Sequence, residues 1–248
     1  MNRKKFIATL GLLSAMGIST SALTAEPALS DAQKAEVEAI IGSYLKENPE
    51  VVIEAIQAWR SKQEAAEEAM KREAVKELHA ETAHTLSPVW GNPDGDVTVV
   101  EFFDYNCPYC KSVFPGMKQL IQKDGGIRVV MKELPVLGKN SLYAAKAALA
   151  AQQQGKYEQF HARMMGKESR LSPDGVLAAA KKVGLDINRL KKDMESAEVA
   201  QELDRSSVWA QRLGISGTPA FVIGDELIPG AIDARQMKRY VEKARTAK

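Results

Sequence analysis

The chain of 248 residues has two cysteines, and they stand three apart as Cys107-Pro-Tyr-Cys110. An apolar run, Val97 to Phe103, leads straight into them; Lys111 to Lys123 continues with helical spacing, and a second apolar run follows from Ile127 to Leu134. Short continuous runs rich in Val, Ile and Phe read as buried strands. A strand, a cysteine pair, a helix and a strand in that order make a β-α-β unit, with the cysteines where strand turns into helix.

That position narrows what the pair can do. A disulfide across two residues closes so short a loop that it stabilises by only ~2 kcal/mol in the chain-entropy picture, which makes a purely structural bridge a poor use of it. A closed zinc site needs four ligands, and the chain's histidines, His79, His84 and His161, lack ligand spacing to the pair, so no metal site is expected. Redox chemistry fits better. A sulfur at the first turn of a helix lies beside unpaired amide hydrogens and the positive end of the dipole, a setting that favours thiolate. Cys107 is then the exposed nucleophile that forms a mixed disulfide, and Cys110, one turn on and more buried, resolves it. Pro108 suits an early helical position, and Pro108 and Tyr109 together are expected to be what a substrate touches beside the sulfur. Names alone leave the direction open, since the potential balances thiolate stabilisation against disulfide strain.

Residues 1–25 read as a secretory signal peptide: Arg3, Lys4 and Lys5, then an apolar stretch from Phe6 to Ile18, then small residues ending at Ala25. Thr9, Ser14 and Ser19 dilute the stretch below the ~20 apolar residues a membrane span needs. Cleavage after Ala22 is the alternative to Ala25. Losing the leader leaves 31 basic against 32 acidic residues, turning a formal charge of +2 into −1. Near neutrality points away from nucleic acid, and no cofactor motif is present. An exported chain sits in a disulfide-permissive compartment, and a bacterial periplasm fits.

Residues 26–86 have no strand-like stretch. Val37, Ile40, Ile41, Tyr44 and Leu45 mark a short amphipathic helix ending near Asn48, and Asn48-Pro49 signals the start of another. In that second helix Val52, Ile56, Trp59, Gln63, Ala66, Met70 and Glu73 form a heptad seam, apolar for about two heptads and then polar. The region reads as a stalk or linker. Turn chemistry from Ser87 to Asp96 opens the main domain, 87–248. Within it, a helical block at about 140–212 is broken at Gly155, Gly166, Pro173 and Gly184; a hairpin follows at Ala220 to Pro229, and Asp233 caps a last helix. Lys181, Lys182, Lys191 and Lys192 read as solvated helix faces.

Glu101-Phe-Phe-Asp-Tyr-Asn-Cys-Pro-Tyr-Cys110, with Gly217-Thr218-Pro219 far downstream, resembles the DsbA-like branch of the thioredoxin superfamily from about Pro88 to the C-terminus. The resemblance implies an α/β thioredoxin-like fold with a helical insertion. It implies that Pro219 is a cis-proline facing the cysteines, that Thr218 offers backbone hydrogen bonds to substrate, and that Glu101 is a buried acid relaying the proton of Cys110. Asp104 is a turn residue on this reading. Lys46-Glu-Asn-Pro-Glu-Val51 extends the likeness to ScsC-like proteins, which carry Cys-Pro-Tyr-Cys on a DsbA-like domain behind an N-terminal helical stalk. That implies a homotrimer held by the stalk, a disulfide isomerase or reductase acting on exported proteins, a membrane thiol reductase of the DsbD type that recharges it, and a link to copper tolerance. A DsbA-type dithiol oxidase is the alternative, and a Cu(I)-binding module a third reading, since two soft thiolates suffice for a linear site.

Overall fold

The computed structural model describes residues 29–82, 87–166, 169 and 171–247. The expected signal peptide and His84 lie outside the described residues. The chain divides into two compact units, with the boundary between Arg60 and Ser61.

The first unit is helical. Helix α1 (Asp31–Glu47) begins in a capping box, in which Ser30 accepts from the Gln33 amide and the Gln33 side chain accepts from the Ser30 amide. Asn48 ends it with both its amide and its side chain, each donating to the Tyr44 carbonyl. The side chain of Asn48 thus closes α1 rather than capping helix α2 (Pro49–Thr82), which Pro49 opens. No residue of α1 is buried, and Ile40, Ile41, Tyr44, Ile53, Ile56 and Trp59 are all exposed.

The second unit is built on a five-stranded sheet in the order β1-β3-β2-β4-β5: β1 (Val89–Gly91), β2 (Val97–Phe103), β3 (Ile127–Glu133), β4 (Ala220–Ile223) and β5 (Glu226–Pro229). Strands β2 and β3 are parallel and joined through α3 (Pro108–Asp124); the other pairings are antiparallel. The expected strands, the hairpin turning at Gly224 (φ +58°) and the last helix, α9 (Ala234–Thr246), stand where the sequence put them. Asp233 and Gln236 form the capping box of α9. The helical block consists of α4 (Lys139–Gln152), α5 (Tyr157–Met165), α6 (Pro173–Lys182), α7 (Ile187–Asp193) and α8 (Ala197–Arg212). The turn-rich stretch after Ser87 hides a strand: β1 is too short for periodicity to register, and it exists because Val89 and Gly91 pair with Val130 and Arg128.

Alternation along the central strands makes two cores. Val97, Val99 and Phe103 face one side with Ile127, Val129, Met131 and Phe221, under α3, α9 and the α4–α7 helices. Val100, Phe102, Val130 and Val222 face the other, under α8 and the end of α2, where Ala74, Val75 and Leu78 are buried. That packing moves the unit boundary some 25 residues ahead of the composition break at Ser87. A buried ionic knot reinforces it. Lys132, fully enclosed, lies 3.5 Å from both Glu81 of α2 and Glu202 of α8, and Arg205 reaches the same two carboxylates.

Candidate functional site

Cys107 takes the N-cap position of α3 in an extended conformation, and Pro108 fills the first helical position, where a missing amide hydrogen costs nothing. Cys110, one turn on, is fully buried, while Tyr109 between them is 64% exposed; Cys107 is not the exposed sulfur expected but is itself buried at 3% exposure, because the Thr218 carbonyl lies against it. Both cysteines are free thiols here. The Cys107 thiol donates to the Thr218 carbonyl at 3.1 Å, so the Thr218-Pro219 segment lies against the dithiol although 111 residues separate them. The Thr218–Pro219 peptide is cis.

Glu101 sits in the middle of central strand β2, between Val99 and Phe103 in the alternation, and so on the α3 side of the sheet. It is 1% exposed, and burial pushes its carboxyl up to about 8. Its Oε2 has no hydrogen-bond partner among the described residues. Burial first, and the nearby Glu101 second, push the Cys110 thiol well above its ordinary range. A thiol and a carboxyl that each resist ionisation thus lie near enough to influence one another in the buried layer under α3, an arrangement suited to proton exchange. Asp104 is a turn residue as expected: its carboxylate accepts from the Asn106 amide at 2.7 Å and the Leu137 amide at 2.9 Å.

A second polar cluster lies on the same face. Glu133 on β3 accepts from the Tyr105 and Tyr157 hydroxyls, at 3.2 and 3.1 Å, and Tyr105 also meets His161 Nδ1 at 2.9 Å. Burial raises Glu133 well above the carboxylate range in spite of the two hydroxyls, with Asp104 and Glu101 adding to the rise. Burial pushes His161 down to about 3, which keeps it neutral. Sequence reasoning gave His161 no ligand role and passed over Glu133. The one available signal was phase, because Glu133 continues the inward alternation of Ile127, Val129 and Met131. His79 also has a tertiary partner: its Nε2 lies 2.6 Å from the Gly224 carbonyl.

Beside the dithiol a cavity of about 630 Å³ opens between Tyr109, the Ser216 to Ala220 segment, the end of α8 and the β5 edge. The expected substrate residues Tyr109, Thr218 and Pro219 all line it, together with Lys71 of α2, which the sequence did not single out; Pro108 does not line it.

With this geometry in place, the family is recognisable. The DSBA-like thioredoxin domain family matches residues 98–242. The chain belongs to that family. Residues 33–66 match the copper resistance protein ScsC N-terminal domain. A thioredoxin-like oxidoreductase from Silicibacter pomeroyi is 49% identical, with a TM-score of 0.64, covering 66% of this chain and 94% of its own. A linker-deletion mutant of Proteus mirabilis ScsC is 30% identical, with a TM-score of 0.68, covering 90% of this chain and 100% of its own. Disulfide bond formation protein D of Bacillus subtilis is 27% identical over 168 residues, covering 63% of this chain and 76% of that protein. The chain spans about a quarter of the length of other relatives: the Na(+)/H(+) antiporter NhaA 1 of Salinispora arenicola is 28% identical over 158 residues, which are 63% of this chain and 24% of the antiporter. The DsbA-like domain is thus of the thiol-disulfide oxidoreductase type, with an ScsC-type helical region ahead of it. No described helix is long and apolar enough to cross a membrane.

Proposed function

We propose that this is an exported thiol-disulfide isomerase or reductase, working in the periplasm as an oligomer, a homotrimer by its ScsC likeness, held through residues 29–60. The observation that carries the reading is the union of a dithiol domain with a helical unit whose apolar side chains are unpartnered: Ile40 and Trp59 are each 62% exposed. A monomeric oxidase has no use for such a unit. An oligomer presents several dithiols to one misfolded substrate and raises their effective concentration around it.

In the proposed cycle the Cys107 thiolate attacks a substrate disulfide, forming the Cys107–substrate bond and releasing the other substrate sulfur as thiolate. That thiolate can attack a second disulfide of the substrate, forming a new pairing and releasing another substrate thiolate, which then attacks the substrate sulfur of the mixed disulfide and sets Cys107 free; that is isomerisation. Otherwise, once Glu101 has given up its own proton, Cys110 passes its proton to the Glu101 carboxylate and attacks Cys107, forming the Cys107–Cys110 disulfide and releasing a reduced substrate. A membrane thiol reductase of the DsbD type would return the two electrons. Thr218 and Pro219 hold the substrate backbone, and Tyr109 covers it. The same two thiols could take Cu(I), in keeping with the ScsC match.

A second reading, a dithiol oxidase, is favoured by the similarity to disulfide bond formation protein D. Refolding of a scrambled, disulfide-mispaired protein separates the two. The reduced full chain should restore activity to the scrambled protein, a chain starting at Ser61 should do so poorly, and Cys107→Ser not at all. If the full chain fails to unscramble while its oxidised form oxidises a reduced protein with or without residues 29–60, the oxidase reading stands instead.

A further inference from the structure

The cavity beside the dithiol has a chemical asymmetry that exchange at Cys107 does not require. Its walls are apolar or uncharged, with Leu213, Ile215, Leu227 and Pro229 among them, and its one charged lining side chain among the described residues is Lys71. That lysine comes from α2, and its stem runs close to Gly214 at the end of α8: a Cβ built on Gly214 would meet Lys71 Cε at 3.5 Å. The cavity adjoins the reacting sulfur, since Thr218, whose carbonyl receives the Cys107 thiol, lines it too.

We propose that Lys71 is a specificity-determining residue: it pairs with an acidic side chain of the extended peptide segment flanking the substrate's reacting cysteine, while the apolar wall takes a neighbouring apolar side chain. The proposal rests on the exchange reading above and deepens it. A segment held at Thr218 and Pro219 runs past this opening, and successive residues of an extended chain are ~3.3 Å apart, so the side chains that reach the cavity belong to the few residues next to the cysteine. The ammonium of Lys71 now pairs with Glu67 at 2.6 Å, one turn earlier on α2, but the two side chains are 41% and 61% exposed. A pair that open to water contributes little, and a substrate carboxylate coming from the cavity side, where apolar walls exclude part of the solvent, can take the place of Glu67.

The test uses the reduced full chain and short peptides whose single cysteine is capped by 2-mercaptoethanol, with each position within three residues of the cysteine set in turn to Glu, Gln or Lys. At one or more positions the wild type should react about two- to fivefold faster with Glu than with Lys, the scale of a partly exposed charge pair. Lys71→Met should erase that preference and Lys71→Glu invert it. Glu67→Gln, which removes the competitor, should strengthen it. About 1 M salt, where screening acts over ~3 Å, should flatten all of them. The neutral disulfide of 2-mercaptoethanol should react equally with every variant, which shows the dithiol intact. An identical charge preference in the wild type and Lys71→Glu, or none in the wild type, overturns the proposal. A wild type that reduces the small disulfide but no peptide at all sinks the exchange reading itself.

Discussion

Glu101 ties the energetics of the domain to its chemistry. Its ordinary value is 4.5 and burial lifts it to about 8, so between those two pH values the unfolded chain is ionised while the folded one still holds the proton. The folded state then binds more protons than the unfolded, and stability falls as pH rises through that window and levels off above it. Each unit is worth about 1.4 kcal/mol, which makes the cost at pH 8 a few kcal/mol. Glu101→Gln should therefore be more stable than the wild type at pH 8 and close to it at pH 4, as denaturant titrations at the two pH values would read. The same variant should lose its route for the Cys110 proton, so the mixed disulfide at Cys107 should persist longer, and mass spectrometry of a quenched reaction would detect it. A variant as unstable at pH 8 as the wild type would mean that burial does not hold Glu101 above its ordinary value. At this scale the sequence was legible where chemistry is local: Cys107, Pro108, Tyr109 and Cys110 are contiguous, and an acid amid Val99, Val100, Phe102 and Phe103 stands out. Glu133, Tyr157 and His161 form one cluster only because β3 and α5 meet under α3, and no spacing records that.

Helix α2 shows where periodicity misleads. The heptad seam ends in the sequence at Glu73, so the helix beyond it looks polar and solvated; in the structure Ala74, Val75 and Leu78 then close the back of the sheet. Small apolar residues among Glu and Lys give almost no amphipathic signal, yet they suffice because Val100, Phe102, Val130 and Val222 already present a flat apolar surface. Leu78→Ala, at a position with no exposure, should cost about 2–5 kcal/mol by lost burial and the cavity left behind. A chain starting at Ser61 should fold as stably as the full one at concentrations where the latter is dissociated, whereas one starting at Ser87 strips that face and the Glu81 partner of Lys132, leaving a buried cation short of a counter-charge. Thermal unfolding of the two truncations would check this, and equal midpoints would mean the end of α2 adds nothing.

Across the whole molecule, two compact units with different surfaces imply different tasks. The first buries nothing in α1 and displays Ile40, Ile41, Tyr44, Ile56 and Trp59, a face that costs free energy in water unless it is covered. Ile56→Asp, which plants a charge in the apolar part of the seam, should shift the full chain to monomers in sedimentation while its rate with a small disulfide stays unchanged; an unaltered oligomer would place the interface elsewhere. The sequence by itself determined the order of the elements apart from β1, the dithiol at a strand-to-helix junction and the likeness to DsbA and ScsC, because these depend on residue type, short spacing and local backbone preference. Only the tertiary structure decided that Thr218 touches Cys107, that Glu133 joins the acids under the site, that Lys71 lines the cavity beside the dithiol and that the second compact unit begins inside α2. Each of these contacts joins residues far apart in the chain, and such pairings follow from how faces pack rather than from any pattern within one segment.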